Sequence, residues 1–162
     1  MDINQDIATL STIRSASVVL VPPSMLFRSP LTEASLLKVG CTYSSDNRAQ
    51  IDALKNLLLR NNLRSDPSPQ ADFDLRNAVY LTFTAGVTVK ILLGEPIIDQ
   101  ATIQGSYQHG ASASWRALAN PHLVSDLQRW ASSADAAMAT RADLQDECAR
   151  AFGVPKPFVA RM

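Results

Sequence analysis

The sequence has no excess of charge of either sign and no long apolar run. Its 162 residues carry 15 basic and 15 acidic side chains, and the formal net charge is zero. Domains that bind nucleic acids through bulk electrostatics usually have a basic excess, so no nucleic-acid partner is expected. The most apolar early run, residues 18–21, is far too short to cross a bilayer. We therefore expect no membrane partner either.

Cysteine and histidine are scarce, with two of each in the chain. A structural zinc site needs four good ligands, and the sequence contains neither Cys-x-x-Cys nor His-x-x-x-His. No metal site is therefore predicted. Cys41 and Cys148 lie far apart, and the sequence leaves open whether they pair. Two buried free thiols are the favoured interpretation, because unpaired cysteine is commonly buried.

Glycine is also infrequent, with six in the chain, and the motifs that depend on it are missing. The six glycines form neither of the common phosphate-binding loops nor a Gly-x-Ser-x-Gly turn. No cofactor is therefore expected. Cys41 and His109 are the weak catalytic candidates that remain. Cys41 shortly precedes a predicted helix whose positive end would activate a thiol, and His109 would be its base, oriented by Asp126 or Asp99. A buried strand residue is the favoured interpretation of Cys41.

The start of the chain bears on location and on domain organisation. MDINQDIATL contains two acidic residues and no basic one, unlike a secretory signal. This favours the cytoplasm, although a mature periplasmic protein given a new methionine would look the same. No stretch resembles an interdomain linker, so residues 1–162 are expected to form one domain. It would begin with a helix at 3–14, either packed or mobile, and end with an extended tail at 153–162.

A β-hairpin at 75–93 is the clearest local signal. Apolar and polar residues alternate in LRNAVYLTF and again in VTVKILL, as in strands with one buried face. A three-residue loop would pair Phe83 with Val87 and Leu81 with Val89. That register puts the large apolar side chains on one face and gives Gly86 the left-handed conformation such a loop needs.

Helical patterns surround this hairpin. Apolar residues recur three or four apart at 3–14, 45–62, 121–131 and 134–152, and a third strand is expected at 101–107. The predicted fold class is therefore α+β. It consists of a small antiparallel sheet, formed by the hairpin and the third strand, packed against three to five helices.

The outer face of the hairpin is the surface that the pattern defines best. It should carry Arg76, Tyr80 and Lys90 together with two threonines, and tyrosine and arginine are favoured at interfaces. A plain solvated face is the competing interpretation. Leu92 on the same side indicates that a helix or a partner covers part of it. Tyr107, Trp115 and Arg116 add a second candidate contact region in and just after GSYQHGASASW, which is predicted to be a connecting loop.

Function is reached only by elimination. A small, neutral, single domain without readable motifs suits a non-catalytic module that binds another protein, such as an inhibitor, an immunity-type protein or an adaptor. A small hydrolase that uses Cys41 or His109 is one alternative. A homo-oligomeric structural subunit is another, and a small-ligand carrier is the last.

Overall fold

The computed structural model describes residues 2–10, 12–22, 25, 27, 29–66, 73–83, 85–96, 101–133, 137–138 and 142–152. Its helices are α1 (Ile3–Ala8), α2 (Glu33–Val39), α3 (Arg48–Arg60), α4 (His122–Ser132) and α5 (Gln145–Phe152), the last preceded by a short 3-10 turn, Ala142–Leu144. Its strands are β1 (Ile13–Leu20), β2 (Cys41–Ser45), β3 (Arg64–Ser65), β4 (Leu75–Phe83), β5 (Thr88–Gly94), β6 (Ile103–His109), β7 (Trp115–Ala119) and β8 (Ala137–Met138).

All the described strands belong to one antiparallel sheet, in the order β3-β7-β6-β5-β4-β1-β2-β8. The strands at its two edges have only two residues each. The α+β class is confirmed, but the predicted small sheet of a hairpin and a third strand was wrong. β1 and β2 join through contacts far apart in sequence, and alternation within a segment does not show which distant strand it pairs with.

The β4–β5 hairpin has the predicted register. Leu81 pairs with Val89 and Val79 with Ile91, while the Phe83 amide donates to the Val87 carbonyl over 2.9 Å. Gly86 has the left-handed φ of 79° that the loop requires. The third strand runs two residues further than predicted, to His109.

The N-terminal helix is shorter than its apolar stripe suggested. α1 ends at Ala8, and Ile13 is already the first residue of β1. Between them Thr12 has a φ of 59°, which prevents the helix from continuing. Ile13 is buried in the core, as predicted, but it is a strand residue. Its helical spacing from Ile3, Ile7 and Leu10 was therefore coincidental. Ile3 and Ile7 are fully buried, which packs α1 against the sheet.

The sheet has a large apolar core on one face and a smaller cluster on the other. α1, α3, α4 and α5 contribute buried residues to the large core. α2 covers part of the opposite face, where Leu36 packs with Val19 and Ala78. α3 begins after an Asn47 cap, whose side chain accepts a hydrogen bond from the Gln50 amide over 3.2 Å.

A disulfide joins Cys41 at the start of β2 to Cys148 in α5, across 107 residues of sequence. Both residues are fully buried, as expected, but they are paired rather than free. Within the region 134–152, predicted to be helical, the structure describes β8, the short 3-10 turn and α5. Residues 134–136 and 139–141 of that prediction lie outside the described residues. The predicted tail at 153–162 lies outside the described residues. No helix in the described ranges is both long and apolar enough to span a membrane.

Candidate functional site

The predicted outer sheet face exists, but the chain covers it with its own α2. Tyr80 and Lys90 are cross-strand partners on this face. The Tyr80 hydroxyl donates to Glu33 Oε2 over 2.7 Å, and Lys90 Nζ donates to Glu33 Oε1 over 2.9 Å. Burial raises the pKa of the Glu33 carboxyl, but these two donors outweigh burial and lower it overall. Tyr80 and Lys90 therefore hold α2 in place.

The remaining predicted residue of this face is also engaged within the chain. Arg76 donates to Asp74 Oδ2 over 3.0 Å, and its guanidinium lies 5.0 Å from the centre of the Phe27 ring. Leu92 packs against the apolar cluster beneath α2, so the inference that this side is covered is confirmed. Arg76, Tyr80 and Lys90 therefore help to fasten the fold around them.

The stretch GSYQHGASASW forms a β-hairpin, where a connecting loop was predicted. β6 continues to His109, and Trp115 is the first residue of β7, with Tyr107 opposite it. Gly110 begins the turn with a φ of 61°. At Gly105 a Cβ would lie 2.2 Å from the Leu92 carbonyl oxygen, so the close approach of β5 to β6 requires glycine there. This hairpin directs Tyr107, His109 and Trp115 to the face that α1 covers.

Asp6 of α1 meets two of these side chains. The Tyr107 hydroxyl donates a hydrogen bond to Asp6 Oδ2. His109 Nδ1 lies 3.0 Å from the same oxygen, and the Phe83 ring stacks on the imidazole at 5.9 Å between centres. The Asp6 carboxylate therefore connects α1 to His109, which lies 103 positions later in the sequence. Asp126, one of the two residues predicted to orient His109, instead accepts a hydrogen bond from Asn61 between α3 and α4. Asp99, the other, lies outside the described residues.

The protonation of this cluster follows from its partners. Burial raises the pKa of Asp6, but hydrogen bonds from Tyr107 and His109 and the charge of His109 outweigh it, so the pKa is lowered overall. The pKa of Tyr107 is raised, because burial and the nearby Asp6 carboxylate both oppose a second negative charge. The cluster is therefore an ionised carboxylate that accepts from a neutral phenol.

A partly exposed surface surrounds His109 at the turn end of the sheet. We call it the loop-end surface and define it by Phe83, Val87, His109 and Trp115. Val87 and Trp115 are 39% and 40% exposed, and Val87 lies beside Gly110, so the two turns meet. Thr12 also lies at this end, since Ile13 pairs with Phe83. Its positive φ is unusual for a β-branched residue, and backbone strain of this kind clusters at functional sites.

The other predicted site residues lie apart from this surface or point away from it. Arg116 forms an ion pair with Asp66 at 3.2 Å, and its side chain is mostly buried. Cys41 is held in the disulfide and has no thiol to act as a nucleophile. Among the residues that the structure describes, no three potential metal ligands are grouped together.

No family model, no curated protein and no solved structure matches this chain. What the protein does therefore has to be inferred from its own residues.

Proposed function

We propose that the protein is a non-catalytic module that binds another protein through the loop-end surface. The observation that carries this proposal is the exposure of Trp115 and Val87. Of the three large apolar side chains that are exposed in the described part of the chain, these two lie at the same end of the sheet. Tryptophan is enriched among the residues that dominate binding energies, particularly where it fills a pocket of the partner.

The surroundings of Trp115 suit such a contact. The fully buried Tyr107 lies opposite it, and residues 111–114 beside it are small and exposed. The two hairpins and α1 supply a fixed base, because Asp6 fastens Tyr107 and His109 to the helix. A prearranged apolar centre with a polar rim loses little conformational freedom on binding. Such a surface would suit an inhibitor, an immunity-type protein or an adaptor equally well.

The test is retention of a partner by matched surface variants. Immobilised wild-type protein should retain a protein from extracts of its own cells in a one-to-one complex. Trp115→Ser should weaken the complex at least about thirtyfold, the loss of about 2 kcal/mol typical of a dominant interface residue. Leu37→Ser should leave the affinity unchanged, because Leu37 is 50% exposed on α2, on the other face of the sheet. Affinities would be measured by titration calorimetry, and unfolding curves should show both variants stable.

Equal retention by Trp115→Ser and wild type would contradict the proposal. So would a wild-type protein that retains nothing beyond further copies of itself, which light scattering would detect as a homo-oligomer.

A small hydrolase is the second candidate, and the Asp6–His109 contact is the observation that favours it. Asp6 fixes the Nδ1 side of the imidazole at 3.0 Å, which leaves Nε2 to take a proton from water as it attacks an ester. On this proposal His109→Ala lowers kcat for a hydrolysed ester by about a hundredfold or more. His122→Ala, which alters the exposed histidine of α4, is the matched control. Equal hydrolysis rates in the two variants would contradict a catalytic role for His109.

The disulfide also bears on location. Disulfides persist in oxidising compartments and are rare in the cytosol. We therefore propose that the chain works outside the reducing cytoplasm, for example in a periplasm. This differs from the prediction from sequence alone, which favoured the cytoplasm. The complete burial of both sulfur-bearing residues supports a structural role for the bond rather than a catalytic one.

A further inference from the structure

A cavity of about 400 Å³ lies at the end of the sheet opposite the loop-end surface. It opens between the end of β1, the start of β4 and the first turns of α4, and its volume is within the range of small-molecule sites. Its apolar wall is built from valine, methionine and three prolines: Val21, Pro22, Met25, Pro96, Pro121 and Val124. Proline fixes the backbone conformation and offers no amide donor, so this wall is preformed and apolar.

The polar side chains of the cavity indicate what it would bind. Asn77, Ser125 and Gln128 are uncharged hydrogen-bonding groups, and Arg76 and Glu95 carry opposite charges. Arg76 is already neutralised by Asp74 at 3.0 Å and stacked on Phe27. Glu95 has an exposed carboxylate with no partner in the described part of the chain. The cavity therefore presents one unpaired negative charge at the edge of an apolar wall.

We propose that this cavity binds a small organic amine with an apolar body. The ammonium group would pair with Glu95, and the apolar body would contact Val21, Met25 and Val124. Asn77 is 4% exposed and holds only a long contact of 3.4 Å to the Gly94 carbonyl, so its amide is available to a polar group of the ligand. This function is independent of the loop-end surface, because the two sites lie at opposite ends of the strands.

The test uses three probes that share one apolar body and differ in charge: phenethylamine, phenethyl alcohol and phenylacetate. Binding at neutral pH would be followed by protein NMR, through shifts of the Asn77 side-chain amide and the α4 backbone. We expect phenethylamine to bind most tightly and phenylacetate least. Glu95→Gln should reduce the preference for the amine over the alcohol by roughly two- to fivefold, the scale of an exposed ion pair.

Two further variants separate the site from general effects. Ser125→Trp should abolish the binding of all three probes by filling the cavity, and since Ser125 is exposed on α4 the fold should tolerate it. Asp52→Asn removes a half-exposed carboxylate on α3 and should leave binding unchanged. The proposal would be overturned if no probe bound, if phenylacetate bound as tightly as phenethylamine, or if Glu95→Gln and Asp52→Asn had the same effect.

Discussion

Replacing both Cys41 and Cys148 with alanine should lower the free energy of unfolding by about 4 to 5 kcal/mol. The bond spans 107 residues, so its loss frees a long loop in the unfolded chain, and the entropic contribution of a crosslink grows with loop length. In the folded protein the bond anchors α5 to β2, beside the edge-on contact of Phe152 with Tyr43 at 6.5 Å between ring centres. The change would be measured by urea unfolding followed by circular dichroism.

Reduction of the wild-type protein is the control for this experiment. It should reproduce most of the loss without changing the packing of any side chain other than the two cysteines. The slope of the unfolding free energy against urea should increase in both cases, because an unfolded chain without the crosslink exposes more surface. A change below about 1 kcal/mol would contradict a structural role of the disulfide.

The same bond tests the proposed location. Protein taken from its own cells, quenched in acid and then unfolded should show no reactive thiol, because the described residues contain no free cysteine and the sequence has only two. Two reactive thiols would contradict both the pairing and the oxidising compartment.

The outer face and the hairpin could be predicted because their information is local. Alternation in residues 75–93 fixes which side chains share a face, and Gly86 selects the turn, so the register follows from one segment. The sequence also indicated that something packs over Leu92, because this apolar residue lies on an otherwise polar side of the hairpin. It did not indicate that α2 is the element that packs there, because the contact between Glu33 and Tyr80 joins positions 47 residues apart.

The Asp6–His109 contact was not predicted, although the sequence pattern around each of the two residues indicates which way its side chain points. Asp6 stands three residues after Ile3 and four before Leu10, so a helix places its carboxylate beside the buried stripe. His109 continues the alternation of Ile103 and Tyr107, so a longer strand would place it on the core face. What the sequence lacks is any sign that Asp6 of α1 meets side chains of β6. The same limit hid the disulfide, since packing of α5 against β2 brings its two cysteines together.

The three tyrosines should resist ionisation in the folded protein and ionise together when it unfolds in alkali. Tyr43, Tyr80 and Tyr107 are all the tyrosines of the chain. Burial raises the pKa of Tyr43 to about 12, and the pKa values of Tyr80 and Tyr107 are raised by burial and by their carboxylate partners, Glu33 and Asp6. In the unfolded chain each phenol ionises near pH ~10.

The sign of the pH dependence follows from these shifts. Below pH ~10 the phenols are neutral in both states, so the tyrosines add no pH dependence there. Above it the unfolded chain releases three protons that the folded protein retains, so stability falls by up to about 4 kcal/mol per pH unit. The ultraviolet absorbance of tyrosinate should therefore stay flat through pH ~10 and then rise in one step with the loss of circular dichroism.

The Tyr107→Phe variant assigns one part of this titration to a single tyrosine. It removes one of the three phenols, so the absorbance step should fall by a third and the pH dependence of stability by about the same fraction. It also leaves Asp6 with His109 as its remaining side-chain partner, which isolates the Asp6–His109 contact at the loop-end surface. A tyrosinate signal near pH ~10 in the folded wild type would show that at least one phenol is not held as the structure places it. If that signal vanished in Tyr107→Phe, the Asp6 cluster would be the misplaced element, and the loop-end surface built on it would lose its fixed base.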